Sequence, residues 1–115
     1  MELWGTGKPR REILCSDELA DGCLYFMQNY EGNEPINIGT GQDHTIEEWA
    51  EMLKGISGFK GGITYDASKP DGVSQKIVDI SKAKALGWQA KVDQKSNLKR
   101  VYEDFVKNYQ SLINK

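Results

Sequence analysis

Two glycine-spaced turns, a tyrosine–lysine pair and a single histidine are the residues whose types and spacing invite a chemical reading. Gly5 and Gly7 begin a G-x-G, but a dinucleotide loop needs a third glycine where this chain has Arg10. Gly7-Lys8 has the ending of a phosphate loop, yet Pro9 stands where Ser or Thr should hold magnesium, and no glycine lies five positions before Gly7. Gly39-Thr-Gly41 sits between a strand pattern and a helix start, with His44 in the third glycine's place and no acidic residue at the right distance in a second strand. It reads as a tight turn whose free amides leave it a modest role in approaching a phosphate. Tyr65-x-x-x-Lys69 has the spacing that places a phenol beside an ammonium across one helical turn. Here it starts on a strand and runs into Pro70, which disfavours helical geometry at Lys69. An extended chain separates the two groups by about 13 Å, at roughly 3.3 Å per residue. His44 has a suitable pKa for base catalysis but no partner, and reads as a solvated loop residue. Cys15 and Cys23 are not in a C-x-x-C arrangement, which argues against zinc and for two reduced thiols that pack. What remains is Trp4, a planar aromatic, beside the fixed charges of Arg10 and Arg11.

The elements that must position these groups follow from periodicity. Residues 1–4 and 12–15 read as short extended segments. Ser16 reads as an N-cap, with Asp17 and Glu18 in a first turn where carboxylates suit the dipole. Leu19, Cys23, Phe26, Met27 and Tyr30 predict the apolar face of a helix over 17–30. Ile-Asn-Ile at 36–38 predicts a strand. Thr45 and Glu48 form a capping box ahead of a helix over 46–57, marked by Ile46, Trp49, Leu53 and Ile56. Strands are predicted over 63–66 and 76–80, a single helical turn capped by Ser81 and stopped by Gly87, and a last helix over 94–113. Short strands alternating with three main helices define a small mixed α/β fold.

At 115 residues the chain fits one small domain, 1–115. Its 38% hydrophobic and 28% charged content suits a polar surface, and a net charge of −2 gives no general pull toward nucleic acid. No apolar run approaches the roughly 20 residues that span a bilayer, and the start lacks the apolar core of a signal peptide, so neither membrane nor export is expected and the chain reads as cytoplasmic.

Five stretches, LWGTGKPRREIL (3–14), DELADGC (17–23), INIGTGQDHTIEEWA (36–50), YDASKPDG (65–72) and KIVDISKAKALGW (76–88), together carry a family signal. In this order and spacing they resemble the C-terminal part of the GDP-L-fucose synthases, which are extended short-chain dehydrogenase/reductases. The resemblance covers nearly the whole chain. It implies a substrate-binding domain without the Rossmann half, and therefore without the Ser-Tyr-Lys catalytic set and the epimerisation acid and base. It further implies an NADPH-dependent epimerase/reductase as the full-length family, no cofactor bound by this chain, and no catalysis by this chain alone.

By resemblance, Trp4 and Arg11 match residues that line a GDP-sugar site, with Asp71 and Lys76 as further contacts. Their side-chain types suit such a ligand. Arg forks onto a pyrophosphate, Trp offers a flat wall, and Asp accepts from a ribose hydroxyl or a guanine edge. Arg10 is expected to face away from Arg11, as strand neighbours do. Two departures bear on this: Cys15 stands where the family often has His, and Ser74-Gln75 replaces Pro-Arg, removing a positive charge beside the expected phosphate site. The implied ligand is a GDP-sugar, weakly held. The surface that a Rossmann half would cover predicts a homodimer. The alternative is a non-catalytic interaction or scaffold module that has kept the fold and lost the ligand.

Overall fold

The computed structural model describes all 115 residues. Two short ladders are formed by the start of the chain. β1 (Glu2–Trp4) pairs in parallel with β4 (Thr64–Asp66), and β2 (Arg10–Arg11) lies between β3 (His44–Thr45), antiparallel, and β5 (Gln75–Lys76), parallel. Around them stand α1 (Ser16–Asn29), α2 (Ile46–Ser57), the short α3 (Ser81–Ala85) and the long α4 (Gln94–Ile113). The mixed α/β fold with three main helices is thus as expected.

Local chemistry fixes α2 most firmly. Thr45 Oγ1 accepts from the Glu48 amide at 3.0 Å, and Glu48 Oε2 accepts from the Thr45 amide at 2.7 Å, closing the capping box. Gly87, at φ +97°, stops α3 in the left-handed region where the Trp88 amide can reach back to the Ala83 carbonyl at 3.0 Å. Asp93 caps α4 through the Ser96 amide.

Several sequence expectations require correction. Cys15, not Ser16, is the N-cap of α1, and it offers no side-chain bond to the helix. Likewise Ile80 precedes α3, and Asp79 rather than Ser81 supplies the side-chain acceptor, to the Ser81 amide at 2.9 Å. The extended segment expected at 12–15 pairs two residues earlier, at Arg10–Arg11, because that is where β3 and β5 lie alongside. The run at 76–80 is a ladder only at Gln75–Lys76. No ladder forms at 36–38. Ile36 and Ile38 do alternate inward onto the core of Phe26, Ala83 and Trp88, but no neighbouring strand offers their backbone a partner. The face of α1 also differs. Glu18, Gly22 and Phe26 are buried, whereas Leu19 and Met27 are 44% and 73% exposed.

Glu18 shows how the C-terminal segment is tied down. Its two oxygens accept from the amides of Lys91 and Val92, each at 3.0 Å, while the side chain sits in a buried position. Removing that carboxylate orphans two amides. Glu18→Ala is therefore expected to destabilise the fold by about 2 kcal/mol and Thr45→Ala by about 1 kcal/mol, read as lowered denaturant midpoints.

Candidate functional site

The four residues expected to meet a ligand lie along one seam. Residues 2–12 run parallel to residues 64–76, with ladders at both ends and two loops, 5–9 and 67–74, facing each other between them. Backbone bonds extend the seam beyond the ladders: the Gly5 amide donates to the Asp66 carbonyl at 2.9 Å, Arg10 to Ser74 at 2.8 Å, and Glu12 to Lys76 at 3.2 Å.

Trp4 ends β1 and is 74% exposed, its ring overlaid by the Lys69 ammonium at 5.3 Å from the centroid. Two residues on, the Thr6 amide donates to Asp71 Oδ1 at 2.6 Å and its hydroxyl to Oδ2 at 2.7 Å. Those bonds, from the amide first, hold the Asp71 carboxyl below its ordinary value, with Lys8 adding positive charge nearby. Gly5, at φ +88°, permits this approach, since a methyl there would collide with Asp71 Oδ1. At the far end Arg11 is in register with Lys76, so the two side chains share a face of neighbouring strands. Arg11 Nη2 also lies 3.8 Å from where a side-chain carbon at Gly72 would stand. Thus Asp71 is brought beside the turn after Trp4, and Lys76 beside Arg11, with Trp4 and Arg11 at opposite ends.

Arg10 faces away, as alternation requires. Its Nε meets Asp43 Oδ1 at 2.9 Å and its Nη2 donates to the Asp43 carbonyl at 3.1 Å. Gln75 Nε2 donates to the other Asp43 oxygen at 2.6 Å. Position 75 therefore turns from Lys76 toward Asp43, and the positive charge missing there bears on this clasp rather than on the Arg11–Lys76 face. Gln75 and then Arg10 keep the Asp43 carboxyl below the ordinary range. Cys15 Sγ accepts from Arg100 Nη2 at 3.0 Å.

Two of the three amides of the glycine turn at 39–41 are already taken by a carboxylate, not free for a phosphate. Glu12 Oε1 accepts from the Thr40 amide and, at 2.7 Å, from the Gly41 amide, while Oε2 accepts from Val78 at 3.0 Å. His44 is not a solvated loop residue either: it lies on β3 with its ring 4.8 Å from that of Trp49 at 80°. Tyr65 and Lys69 do not share a helix. Tyr65 is on β4 with its hydroxyl buried and unpartnered, and Lys69 follows a turn closed by its own amide on Asp66. Burial, and then Glu47 and Glu51, push the Tyr65 phenol upward, opposite to what proton transfer from it would need. No group of three or more His, Cys, Asp or Glu side chains converges as a metal site.

Sequence reasoning assigned no role to Thr6, Lys69, Glu12 or Asp43. Thr6 was the most accessible of these from sequence, because a hydroxyl residue between two glycines is suited to bind a turn carboxylate. The partners of Glu12 lie 28 and 66 positions away, and no local pattern carries that.

No protein-family model matches the chain. GDP-L-fucose synthase 1 of Arabidopsis thaliana is 45% identical over 106 residues, which are 92% of this chain and 33% of that protein. Among solved structures, a GDP-D-glycero-L-gluco-heptose synthase from Campylobacter jejuni, in the presence of NADPH, superposes with a TM-score of 0.80 at 41% identity, over 89% of this chain and 32% of that one. A GDP-L-fucose synthetase from Naegleria fowleri bound to NADP gives a TM-score of 0.89 at 28% identity, over 95% and 35%. The fold is that found in the extended short-chain dehydrogenase/reductases, the class to which these solved neighbours belong. Within it, the chain is homologous to a C-terminal portion of the GDP-L-fucose synthases. It spans about a third of the length of the curated relatives it matches.

The lowered carboxyls also set the response to acid. Asp43, Asp71, Glu48 and Asp93 all titrate below their ordinary values in the folded chain, so each contributes stability that is full above the unfolded value and lost as pH falls through the folded one. Urea midpoints are expected to hold from about pH 7 to about pH 5 and to fall steadily below about pH 4. Asp71→Asn should flatten part of that fall.

Proposed function

We propose that this chain is the sugar-nucleotide-binding part of a GDP-L-fucose-synthase-like, NADP-dependent epimerase/reductase, binding a GDP-sugar weakly and catalysing nothing alone. The observation that carries it is the seam. It sets an open aromatic wall at Trp4, an acceptor carboxylate at Asp71 and a pair of cations at Arg11 and Lys76 in that order along two parallel segments. Such an order suits a ligand with a flat base, a hydroxylated sugar and a diphosphate. The glycine pattern of a dinucleotide loop is incomplete at both G-x-G turns, so NADPH is assigned to the longer relatives' other residues and not to these. A cytoplasmic setting belongs to the same reading, supported by two free cysteines.

Weak binding is expected because Trp4 is largely open to solvent, whereas a complete small-molecule site buries about 70% or more of its ligand. The dissociation constant for GDP should be on the order of 0.1–10 mM, roughly 3–5.5 kcal/mol. Chemical-shift titration detects this range. Signals of residues 4, 11, 71 and 76 should move with GDP, and Arg11→Ala should weaken GDP more than guanosine. If saturating GDP moves none of them, the scaffold reading replaces the binding one.

Self-association is the second part of the proposal. α4 has no buried residue, and Val101, Phe105, Val106, Tyr109, Leu112 and Ile113 are about half-exposed. The radius of gyration is 16.9 Å, against about 13–14 Å for a compact chain of this length. Six such side chains, at roughly 150–200 Å² apiece, leave about 500 Å² of apolar surface per helix, so a two-fold pair removes about 1,000 Å², near the threshold of a specific interface. Sedimentation should show a concentration-dependent dimer that Phe105→Glu weakens; a strict monomer at high concentration counts against it.

A further inference from the structure

We propose that Thr6 is the positioning residue of the seam: by holding both oxygens of Asp71 it locks loop 5–9 to loop 67–74, and so sets where Trp4 stands relative to Arg11 and Lys76. This rests on the binding reading above and adds to it a residue that need not touch the ligand.

The geometry supports this assignment in three ways. First, the ladders fix only the ends of the seam; β1 and β4 stop at Trp4 and Asp66, and the pairing of β2 with β5 begins at Arg10 and Gln75. After the Gly5–Asp66 bond, no backbone–backbone bond joins the two loops until Arg10 reaches Ser74, so the Thr6–Asp71 pair is the crossing link in the middle. Second, the link is two-point. One bond from the amide and one from the hydroxyl of the same residue, each to a different carboxylate oxygen, fix the plane of the carboxylate as well as its position. Third, Thr6 Oγ1 also accepts from the Lys8 amide at 3.3 Å, so the hydroxyl shapes the turn that leads to Arg10 and Arg11.

The link also decides what Asp71 presents. With each oxygen bonded once to Thr6, the lone pairs that remain point away from the turn and form an acceptor pair of fixed direction. The cation acting on Asp71 is Lys8 in the partner loop, while Lys69 lies over the Trp4 ring and the Arg11 guanidinium approaches Gly72. A carboxylate free to rotate beside Lys8 would turn toward that ammonium and lose this direction. Held by Thr6, it stays aimed out of the seam while Lys69 stays over Trp4.

Thr6→Val keeps the branched shape and the amide but removes the hydroxyl, while Thr6→Ser keeps both donors. In ligand-free nitrogen–proton spectra, Thr6→Val should shift the Trp4 indole signal and the amides of 5–9 and 69–72, leave α1 and α4 unmoved, and raise the midpoint at which the residue-6 amide titrates with Asp71; Thr6→Ser should restore all three. GDP affinity, measured by the same spectra, should fall about tenfold in Thr6→Val and recover in Thr6→Ser. If Thr6→Val binds GDP as the unmodified chain does, the positioning role is overturned while the binding reading stands. If the unmodified chain itself does not bind GDP, the binding reading fails, and the ligand-free shifts alone decide the role of Thr6: a Trp4 signal unmoved by Thr6→Val overturns it, and one moved by Val and restored by Ser upholds it.

Discussion

The parallel alignment of the first twelve residues with residues 64–76 is the constraint on which the rest of the structure depends. Neither segment is long enough to be a stable strand alone; β2 and β5 have two residues each. They persist because each is anchored from several sides. Met1 donates through its amino terminus to the Gly62 carbonyl at 2.8 Å, the Trp49 indole donates to the Arg11 carbonyl at 2.9 Å, and Asp43 ties Arg10 to Gln75. Helix α2 serves this alignment directly. Its capping residue is also the end of β3, and the amides of Ile46 and Glu47 donate to the Pro9 and Gly7 carbonyls.

Carboxylates do most of the tying between elements distant in sequence. Glu12 gathers the 39–41 turn and Val78, Glu18 gathers Lys91 and Val92, Asp71 gathers Thr6, and Asp21 accepts from the Trp88 indole at 2.8 Å. Each uses an acceptor-only group to satisfy amides or an indole where no ladder exists, which is how so small a core can be surrounded by so many irregular segments. Buried apolar residues are few: Phe26, Ala83 and Trp88 form one cluster, and Trp49 with Ala50 makes the buried face of α2.

What was legible in the sequence follows from the range of the interactions involved. Helix α2 was readable to the residue because its capping box, Thr45 and Glu48, lies within one turn, and the start and stop of α4 were readable from a sustained apolar rhythm. The ladders were misplaced, and the one expected at 36–38 was absent, because a strand's limits are set by its neighbour: Arg10 pairs with Gln75 across more than sixty positions, and Asp43 clasps both. The α1 stripe pointed the wrong way for a related reason. Leu19 and Met27 have helical spacing and the right chemistry, but the chain folds its core against Gly22 and Phe26 and seats Glu18 inward, which periodicity ranks as a surface residue. For the site, residue types and family resemblance named Trp4, Arg11, Asp71 and Lys76, while the seam along which they lie and the Thr6 and Lys69 contacts within it depend on segments meeting across more than sixty positions.

The segment at 36–38 has a consequence of another kind. Its side chains alternate as a strand's do, with Ile36 and Ile38 turned to the core, yet its amides and carbonyls have no ladder partner. That is an open edge, the kind of template along which chains stack into insoluble sheets. Here the edge is blunted at both ends. Pro35 lacks an amide to donate, Glu31 and Glu34 place negative charge just before it, and Gly39 with Thr40 and Gly41 turns the backbone away under the hold of Glu12. Only about three residues of template remain, short of the six or seven that sustain a cross-β stack. Solubility at this edge therefore rests on local sequence, and lengthening the apolar run by replacing Pro35 or Glu34 with a β-branched residue would remove the guard.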